Sequence, residues 1–551
     1  MAIVAKHLEL IEQAIKAIEE RSFFTAFPEH PKAYDESLFI EGRTAYEGLE
    51  HKAFEALLPA TSAEFIGEEV SPYTLEELGI TYPKYEATSL VENAQLAFSS
   101  LRKLHWEERA SILMNAMERI KKRFFEIGIA GLHTTGQAFV MSFQANGPHA
   151  LDRALEVVAM AVKSFRAYPE RIDYEKPMGR TMLRYAKTYQ PVSKGVGLVV
   201  ACSTFPTWNS APGIFANLIS GNSVVVKPHP KAVLPLAIFV EEIQQAFKDA
   251  GQDPLSIQLA ADSSDKPITK ELAENEKVKL IDYTGGSAFA NYLEGLTGKT
   301  LFTEKSAINS VLVHSSKDLR ESMRNLAFSA SLYSGQMCTG PQNVFIPETG
   351  VYDDNELVDF ETVVDLLQNE IASFAYNQKL AAGTMGTVQN QKTIDRIDAL
   401  ENKSYKEVLA PPKITNPEFA KARMRAIKIL QVDAQDYEAY AKELFGPILI
   451  VVKTKDIQEA ISLAKKIALE KGAITCSAYT TNEEVETQII DEMNAAFTPV
   501  SVNMNGYALV NQHAAFSDFH VSGGNPSGNA SFTDEQFIQR RFVWIGNRSL
   551  L

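Results

Sequence analysis

From Lys194 onward the sequence alternates between short, uninterrupted apolar runs and longer amphipathic stretches, and this alternation constrains the fold more than any other feature. Lys194–Thr204 (KGVGLVVACST), Ser223–Pro230 (SVVVKPHP), Ser256–Ala261 (SIQLAA) and Val278–Gly286 (VKLIDYTGG) are each short and bounded by glycine or polar residues. Runs of this kind read as strands buried on both faces, as in a parallel sheet. Helical patterns separate them, most clearly PLAIFVEEIQQAFKDAG. Strand–helix–strand alternation predicts a doubly wound α/β domain with its ligand crevice at the C-terminal ends of the strands.

A second series follows, with INSVLVH, QNVFI, AIKILQV, ILIVV, ITCSAY and PVSVNMN as strands and helices such as DIQEAISLAKKIAL between several of them. The expected organisation is an N-terminal extension over 1–85, a dinucleotide-type domain over 86–303, a second α/β unit over 304–505, and a C-terminal tail over 506–551. Leu8, Ile11, Ile15 and Ile18 predict an opening amphipathic helix. The rest of the extension has weak periodicity and reads as a cap on the main body. Long helical patterns cover Val91 to about Leu132 and Leu151 to Ala167. TMLRYAKTYQPV (Thr181–Val192) reads as a strand or hairpin arm, and FIQRRFVWI near the end as a final strand.

A chain of 551 residues exceeds what one hydrophobic core organises, so several domains are expected. The formal charge of −15 argues against nucleic acid or an acidic membrane surface as the main partner. No run approaches the ~18 apolar residues that a membrane helix needs. The N-terminus, interrupted by Lys6, Glu9 and Glu12, does not resemble a signal peptide. Three scattered cysteines, Cys202, Cys338 and Cys476, offer no disulfide framework, so a cytoplasmic protein is expected. No CxxC or HExxH spacing points to a metal.

Cys338 follows a helical pattern and directly precedes a strand, in SLYSGQMCTGPQNVFI. A cysteine at such a glycine-bearing junction can be partly exposed and polarised by backbone N–H groups, which predicts a lowered thiol pKa. An inert buried cysteine is the bland reading of a lone Cys, and the surrounding motifs decide against it. SGQMCTG resembles the catalytic-cysteine segment of the aldehyde dehydrogenase superfamily. Glu304, in LFTEKSAIN, lies 34 residues before Cys338, a spacing similar to that of the family's general-base glutamate. YTGG resembles the Thr-Gly turn under the cofactor pyrophosphate. SGNSVVVKP resembles the element whose lysine, here Lys227, bonds the adenosine ribose. ELFGP resembles the segment whose Glu and Phe, here Glu443 and Phe445, hold the nicotinamide ribose and ring.

The resemblance implies an aldehyde dehydrogenase-like fold with an oligomerisation arm, NADP or NAD as cofactor, a homodimer or homotetramer, and a small-molecule aldehyde as substrate. It implies Cys338 as nucleophile, Glu304 as general base, and Lys227, Gly285, Gly286, Glu443 and Phe445 as cofactor-binding residues. A surface Glu304 paired with Lys305 is the bland alternative. Cys202 and Cys476 read as packing residues, and His229 as an exposed loop histidine.

The chain also departs from the family pattern. Counting 18 residues back from Asn222 places Thr204 where the family has its oxyanion asparagine, with Asn209 as an imperfect alternative. The Leu-Gly-Gly after the general base is replaced by Lys305-Ser306-Ala307. Pro230 stands where many NAD-preferring members carry a glutamate, and with Lys231 adjacent this favours NADP. The extension, CSTFPTWNSAPG, TEKSAIN and SGQMCTGPQN together resemble PaaN-type proteins of phenylacetic acid degradation. That resemblance implies a ring-opened semialdehyde, including a CoA-linked one, as substrate. Two other readings remain open: a CoA-acylating dehydrogenase, and a dinucleotide-binding protein without efficient catalysis.

Overall fold

A computed structural model describes residues 3–60, 62, 64–400, 404–506, 508 and 513–551. The first parallel sheet has five strands in the order Ile257–Leu259, Ser223–Lys227, Val196–Val200, Val278–Thr284 and Thr300–Glu304. Chain order reverses between Val196–Val200 and Val278–Thr284, so a crevice opens at the C-terminal ends of those two strands. The fifth strand corrects the sequence reading, which began the second unit at Glu304. Glu304 ends the first sheet instead, paired in register with Thr284.

The second sheet has seven strands in the order Lys406–Leu409, Lys428–Asp433, Ile448–Thr454, Pro341–Pro347, Asn309–Val313, Cys476–Tyr479 and Val500–Val502. All pairings are parallel except that of Lys406–Leu409, which the sequence reading missed because its lysine, glutamate and short length give no apolar run. A third, antiparallel sheet joins Arg171–Met178, Thr181–Ser193 and Phe542–Leu550 into a largely exposed arm. The final strand starts at Phe542, and Phe537 lies in a short helix, Gln536–Gln539, that packs into the core.

The extension packs on the first domain. Ile11, Ala14, Ala17 and Ile18 of helix Ala5–Glu20 are buried in the same core as helix Pro148–Phe165, while Leu8 faces solvent. A second helix, Glu36–Leu49, lies where the sequence showed only weak periodicity, and Asp35 caps it by accepting from the Ser37 N–H. Tyr34 sits edge-on to Phe124, Phe125 and Phe143, with centroids 5.5–6.1 Å apart.

The C-terminal segment locks onto the first sheet. Arg541, fully buried, makes two bonds of 2.6 and 2.8 Å to Asp282 on the first sheet. Its guanidinium also stacks 3.8 Å from the Phe302 ring centroid. Gly528 crosses directly over strand Thr300–Glu304, where a Cβ would come 2.3 Å from the Thr303 carbonyl oxygen.

Candidate active site

Cys338 is held by an unusual turn. Tyr333, Ser334 and Gly335 have φ of 50°, 50° and 66°, three successive left-handed residues between helix Leu319–Ser331 and strand Pro341–Pro347. Two of them carry side chains, a conformation that costs roughly 1–3 kcal/mol per residue unless the surroundings impose it. Here they do. The Ser334 hydroxyl donates to the Met385 carbonyl, and the Gln336 amide donates to the Tyr333 and Thr387 carbonyls at 3.1 and 2.9 Å. Asn309 completes the clamp by donating to the carbonyls of Cys338 (2.8 Å) and Gly340 (3.0 Å).

The thiol lies where two cavities meet. One, about 340 Å³, is lined chiefly by apolar side chains, among them Met141, Phe205, Trp208, Phe328 and Leu332. The other, about 630 Å³, runs over the C-terminal ends of the first sheet past Thr204, Tyr283, Gly285, Gly286, Glu443 and Phe445. Such a crevice at a topological switch point is where α/β sheets bind ligands.

Glu304 is 5% exposed and faces this junction. Its Oε2 accepts from Asn209 Nδ2 at 2.9 Å, and its Oε1 lies 3.2 Å from His520 Nε2. Lys305 points away and pairs with Glu294 at 2.8 Å, which removes the surface-pair reading of Glu304. Burial, then the Glu304 carboxylate, push the Cys338 thiol well above its ordinary value. Both effects favour the neutral thiol and oppose the lowering expected from the junction alone.

His520 is the residue that sequence reasoning missed. It is 1% exposed, and its Nε2 lies 3.8 Å from Cys338 Sγ. The donor atoms of Glu304, Cys338 and His520 all lie within 4.8 Å of one another. Trp208 stands edge-on to the imidazole at 4.7 Å, and His513 Nδ1 meets its Nδ1 at 3.1 Å. The only sequence signal was a histidine within a Gly- and Asn-rich tail, which carries no spacing information.

Several expected residues stand differently from the sequence reading. Lys227 is buried and does not line the groove; it pairs with Asp262 at 2.6 Å and donates to its neighbour's carbonyl, Pro228 O. His229 is partly buried and lines the groove, and burial pushes its pKa down to about 4. Cys202 packs against Phe205 and Tyr333 as expected and also lines the groove, with its Sγ 3.6 Å from Asn209 Oδ1. Asn209 and Thr204 both line the groove, and Asn209 is engaged there by Glu304 and Cys202.

The dinucleotide fit rests on two features. Gly286 caps helix Ser287–Glu294 with open space where a Cβ would stand, so a phosphate can approach the helix N-terminus closely. The Tyr283 hydroxyl spans Gly285 to bond the Gly286 carbonyl at 3.0 Å, and the Gly285 N–H donates to the Glu304 carbonyl at 3.1 Å. The cofactor turn is thus fastened to the residue that carries the buried carboxylate. At the far end Arg396 donates to the carbonyls of Leu444 and Phe445, fixing the loop that bears Glu443.

Residues 61–543 match the family model described as "Aldehyde dehydrogenase family". The chain belongs to this family. The dehydrogenase is similar to a crystal structure of an NAD-dependent aldehyde dehydrogenase from Burkholderia multivorans, with 38% identity and a TM-score of 0.96, covering 99% of this chain and 98% of that one. It is 22% identical over 525 residues to a 1-pyrroline-5-carboxylate dehydrogenase of Staphylococcus epidermidis, covering 89% of this chain and 90% of that protein. It is also 22% identical over 473 residues to a benzaldehyde dehydrogenase of Bacillus subtilis, covering 82% and 92%. The dehydrogenase fold, the oxidation of an aldehyde and the use of NAD or NADP follow from family membership together with the dinucleotide groove. Among the described residues, no helix is long and apolar enough to cross a membrane.

Proposed function

We propose that this dehydrogenase oxidises an aldehyde with a largely apolar substituent to its carboxylic acid through a thioester on Cys338. The observation that carries the reading is the position of Cys338 at the junction of an apolar funnel and a dinucleotide groove, with buried Glu304 beside it. The Cys338 sulfur adds to the aldehyde carbon, and the carbonyl electrons move to oxygen. Because Asn209 is committed to Glu304, Thr204 and the Cys338 backbone N–H are the oxyanion donors we assign. A nicotinamide bound in the groove supplies the hydride acceptor. Gly285, Gly286, Glu443 and Phe445 line its site, while Lys227 shapes the ribose end through Asp262. Glu304 then removes a proton from water, and hydroxide cleaves the thioester. A buried carboxylate beside the thioester favours water over CoA as the resolving nucleophile.

The charge at the ribose end favours NAD over NADP, against the expectation drawn from Pro230. The Asp262 carboxylate takes up the Lys227 ammonium, and Glu68 adds a second negative charge nearby. A 2′-phosphate is thereby denied the Lys227 ammonium. For the substrate, the described residues of the funnel include no Lys or Arg to bind a carboxylate close to the reacting carbon. This supports a ring-opened semialdehyde of aromatic, phenylacetate-type degradation, with any CoA moiety held outside the funnel. We also propose a cytoplasmic homo-oligomer formed through the exposed arm, which presents Met178, Met182, Val543 and Leu550 to solvent.

The test is absorbance at 340 nm with NAD⁺ and NADP⁺ separately, over an aldehyde panel that includes CoA-linked semialdehydes. Reduction by the wild type that is lost in Cys338→Ala supports the reading. Turnover that survives in Cys338→Ala overturns it.

A further inference from the structure

We infer that His520 is a catalytic residue whose Nε2 takes the proton of the Cys338 thiol, and that His513 sets the tautomer that makes this transfer possible. The inference rests on Cys338 being the nucleophile and assigns a base for its activation. As placed, the thiol is favoured towards ionisation by the Cys338 backbone N–H, and burial and Glu304 outweigh it. Burial and Glu304 both hold it in the neutral form, so Glu304 cannot both favour the thiolate and remain an anion beside it. Only a group that becomes cationic on taking the proton reverses that balance. His520 Nε2 is 3.8 Å from the sulfur and 3.2 Å from Glu304 Oε1, so the imidazolium would stand between two anions, thiolate and carboxylate.

The Nδ1 contact bears on which nitrogen is free. His513 Nδ1 and His520 Nδ1 are 3.1 Å apart, so one donates and the other accepts. His513 lies beside Arg153, and burial, then the charges of His520 and Arg153, push its pKa down to about 3. It therefore stays uncharged and can accept at Nδ1 when His520 carries both protons. In the neutral pair the contact admits the tautomer in which His520 donates from Nδ1, and that tautomer leaves Nε2 as the acceptor facing sulfur. Arg153 is itself fixed, donating to the His513 carbonyl at 3.1 Å and pairing with Glu156 at 2.9 Å. The charged and titratable groups around the imidazole are thus Glu304, Cys338, His513 and the Arg153–Glu156 pair, with Cys202 beyond the sulfur. The remaining neighbours, Trp208 and Phe532, are uncharged rings.

The backbone shows that this placement is imposed. Val521, directly after His520, has φ of 61°, and Phe516 has φ of 67°. A β-branched residue in the left-handed region is strained, and such strain persists where surrounding structure demands it. Val521 packs with Ala307, Ile474 and Cys338, so the strained residue seats the segment against the nucleophile.

The step balances without another reactant. The S–H bond breaks, its proton goes to His520 Nε2, and the sulfur electron pair forms the C–S bond to the aldehyde carbon. After hydride leaves that carbon, hydroxide generated by Glu304 cleaves the thioester. The departing thiolate is returned to its imidazolium partner, and one net proton leaves to solvent.

The test is the rate of Cys338 alkylation by iodoacetamide against pH, in the absence of aldehyde and cofactor, for wild type, His520→Gln, His513→Leu and Glu304→Gln. Expected is a wild-type inflection near neutrality, with the rate at pH 7 falling about tenfold or more in His520→Gln and the inflection moving alkaline. Glu304→Gln keeps the neutral inflection, and His513→Leu gives a smaller loss with the tautomer no longer fixed. Should His520→Gln not fold, the thiolate absorbance of wild type minus Cys338→Ser near 240 nm reports the same ionisation, and its onset only at alkaline pH overturns the inference. An unchanged profile in His520→Gln, or a neutral inflection lost only in Glu304→Gln, also overturns it. Since no substrate is present, these outcomes are independent of whether any aldehyde in the panel is oxidised.

Discussion

Replacing Asn209 with alanine separates two roles that sequence position alone confuses. The Asn209 side chain donates one 2.9 Å hydrogen bond to Glu304 Oε2, both residues being buried. A hydrogen bond to a charged group contributes roughly 1.5–3 kcal/mol, and losing it leaves a buried carboxylate oxygen without its donor. Converted at ~1.4 kcal/mol per decade, that is about 10- to 150-fold in any step requiring Glu304 in place. The step is water attack on the thioester. Asn209→Ala should therefore leave the first NADH burst, which reports thiol addition and hydride transfer, within about threefold of wild type, since no bond to the oxyanion is lost. The slow phase after it should fall by the full factor. Stopped-flow absorbance at 340 nm resolves the two phases. Hydroxylamine, which cleaves thioesters without a general base, should restore the lost turnover and yield the hydroxamate. If Asn209 instead served the oxyanion, the burst would slow by about two orders of magnitude. A burst slowed as much as the steady state, or a slow phase unchanged, would refute the assignment.

Four further outcomes are expected. Arg541→Ala leaves Asp282 buried without its bidentate partner, so the chain should lose about 3–5 kcal/mol of stability in denaturant or thermal unfolding, and Arg541→Met/Asp282→Leu should recover most of it. Asp262→Ser should improve NADP⁺ relative to NAD⁺ about tenfold in kcat/KM, because it frees the Lys227 ammonium to meet a 2′-phosphate. Glu304→Gln should retain a single NADH burst while steady-state turnover falls by about 10²-fold or more. Docking of the extension should weaken with rising pH. Burial raises Asp152, bonded by the Ala26 N–H and the Thr25 hydroxyl, to about 7, and raises Glu69 to about 6. The folded state then holds more protons than the unfolded state from about pH 4 up to those values, so stability is greatest at the acid end and is lost as pH rises through them. Hydrogen exchange of residues 5–50 at pH 5.5 and 8 measures this, and Asp152→Asn should flatten the difference.

The alternating strands and helices are legible in the residues alone, because strands buried on both faces must be continuously apolar. Val196–Val200, Ser223–Lys227 and Ile448–Thr454 all lay within a run or two residues of where the pattern put them. The sequence also carried Cys338, Glu304 and the Tyr283–Gly286 turn, since each sits in a short segment whose local order is part of its geometry. The strands and helix that escaped were those without an apolar run of their own. Lys406–Leu409 is a polar edge strand, and Glu36–Leu49 packs along only part of its length. What the tertiary structure alone decided concerns groups brought together from distant parts of the chain. His520 reaches a sulfur 182 residues away, Asn209 a carboxylate 95 away, and Asp262 neutralises a lysine expected to bind ribose. Protonation state and ligand preference depend on burial and on charges a few ångströms off, and neither quantity is a property of local sequence. The ionisation of Cys338 shows the same limit: the glycine-bearing junction is local, but the carboxylate and the imidazole that face the sulfur come from other strands and loops.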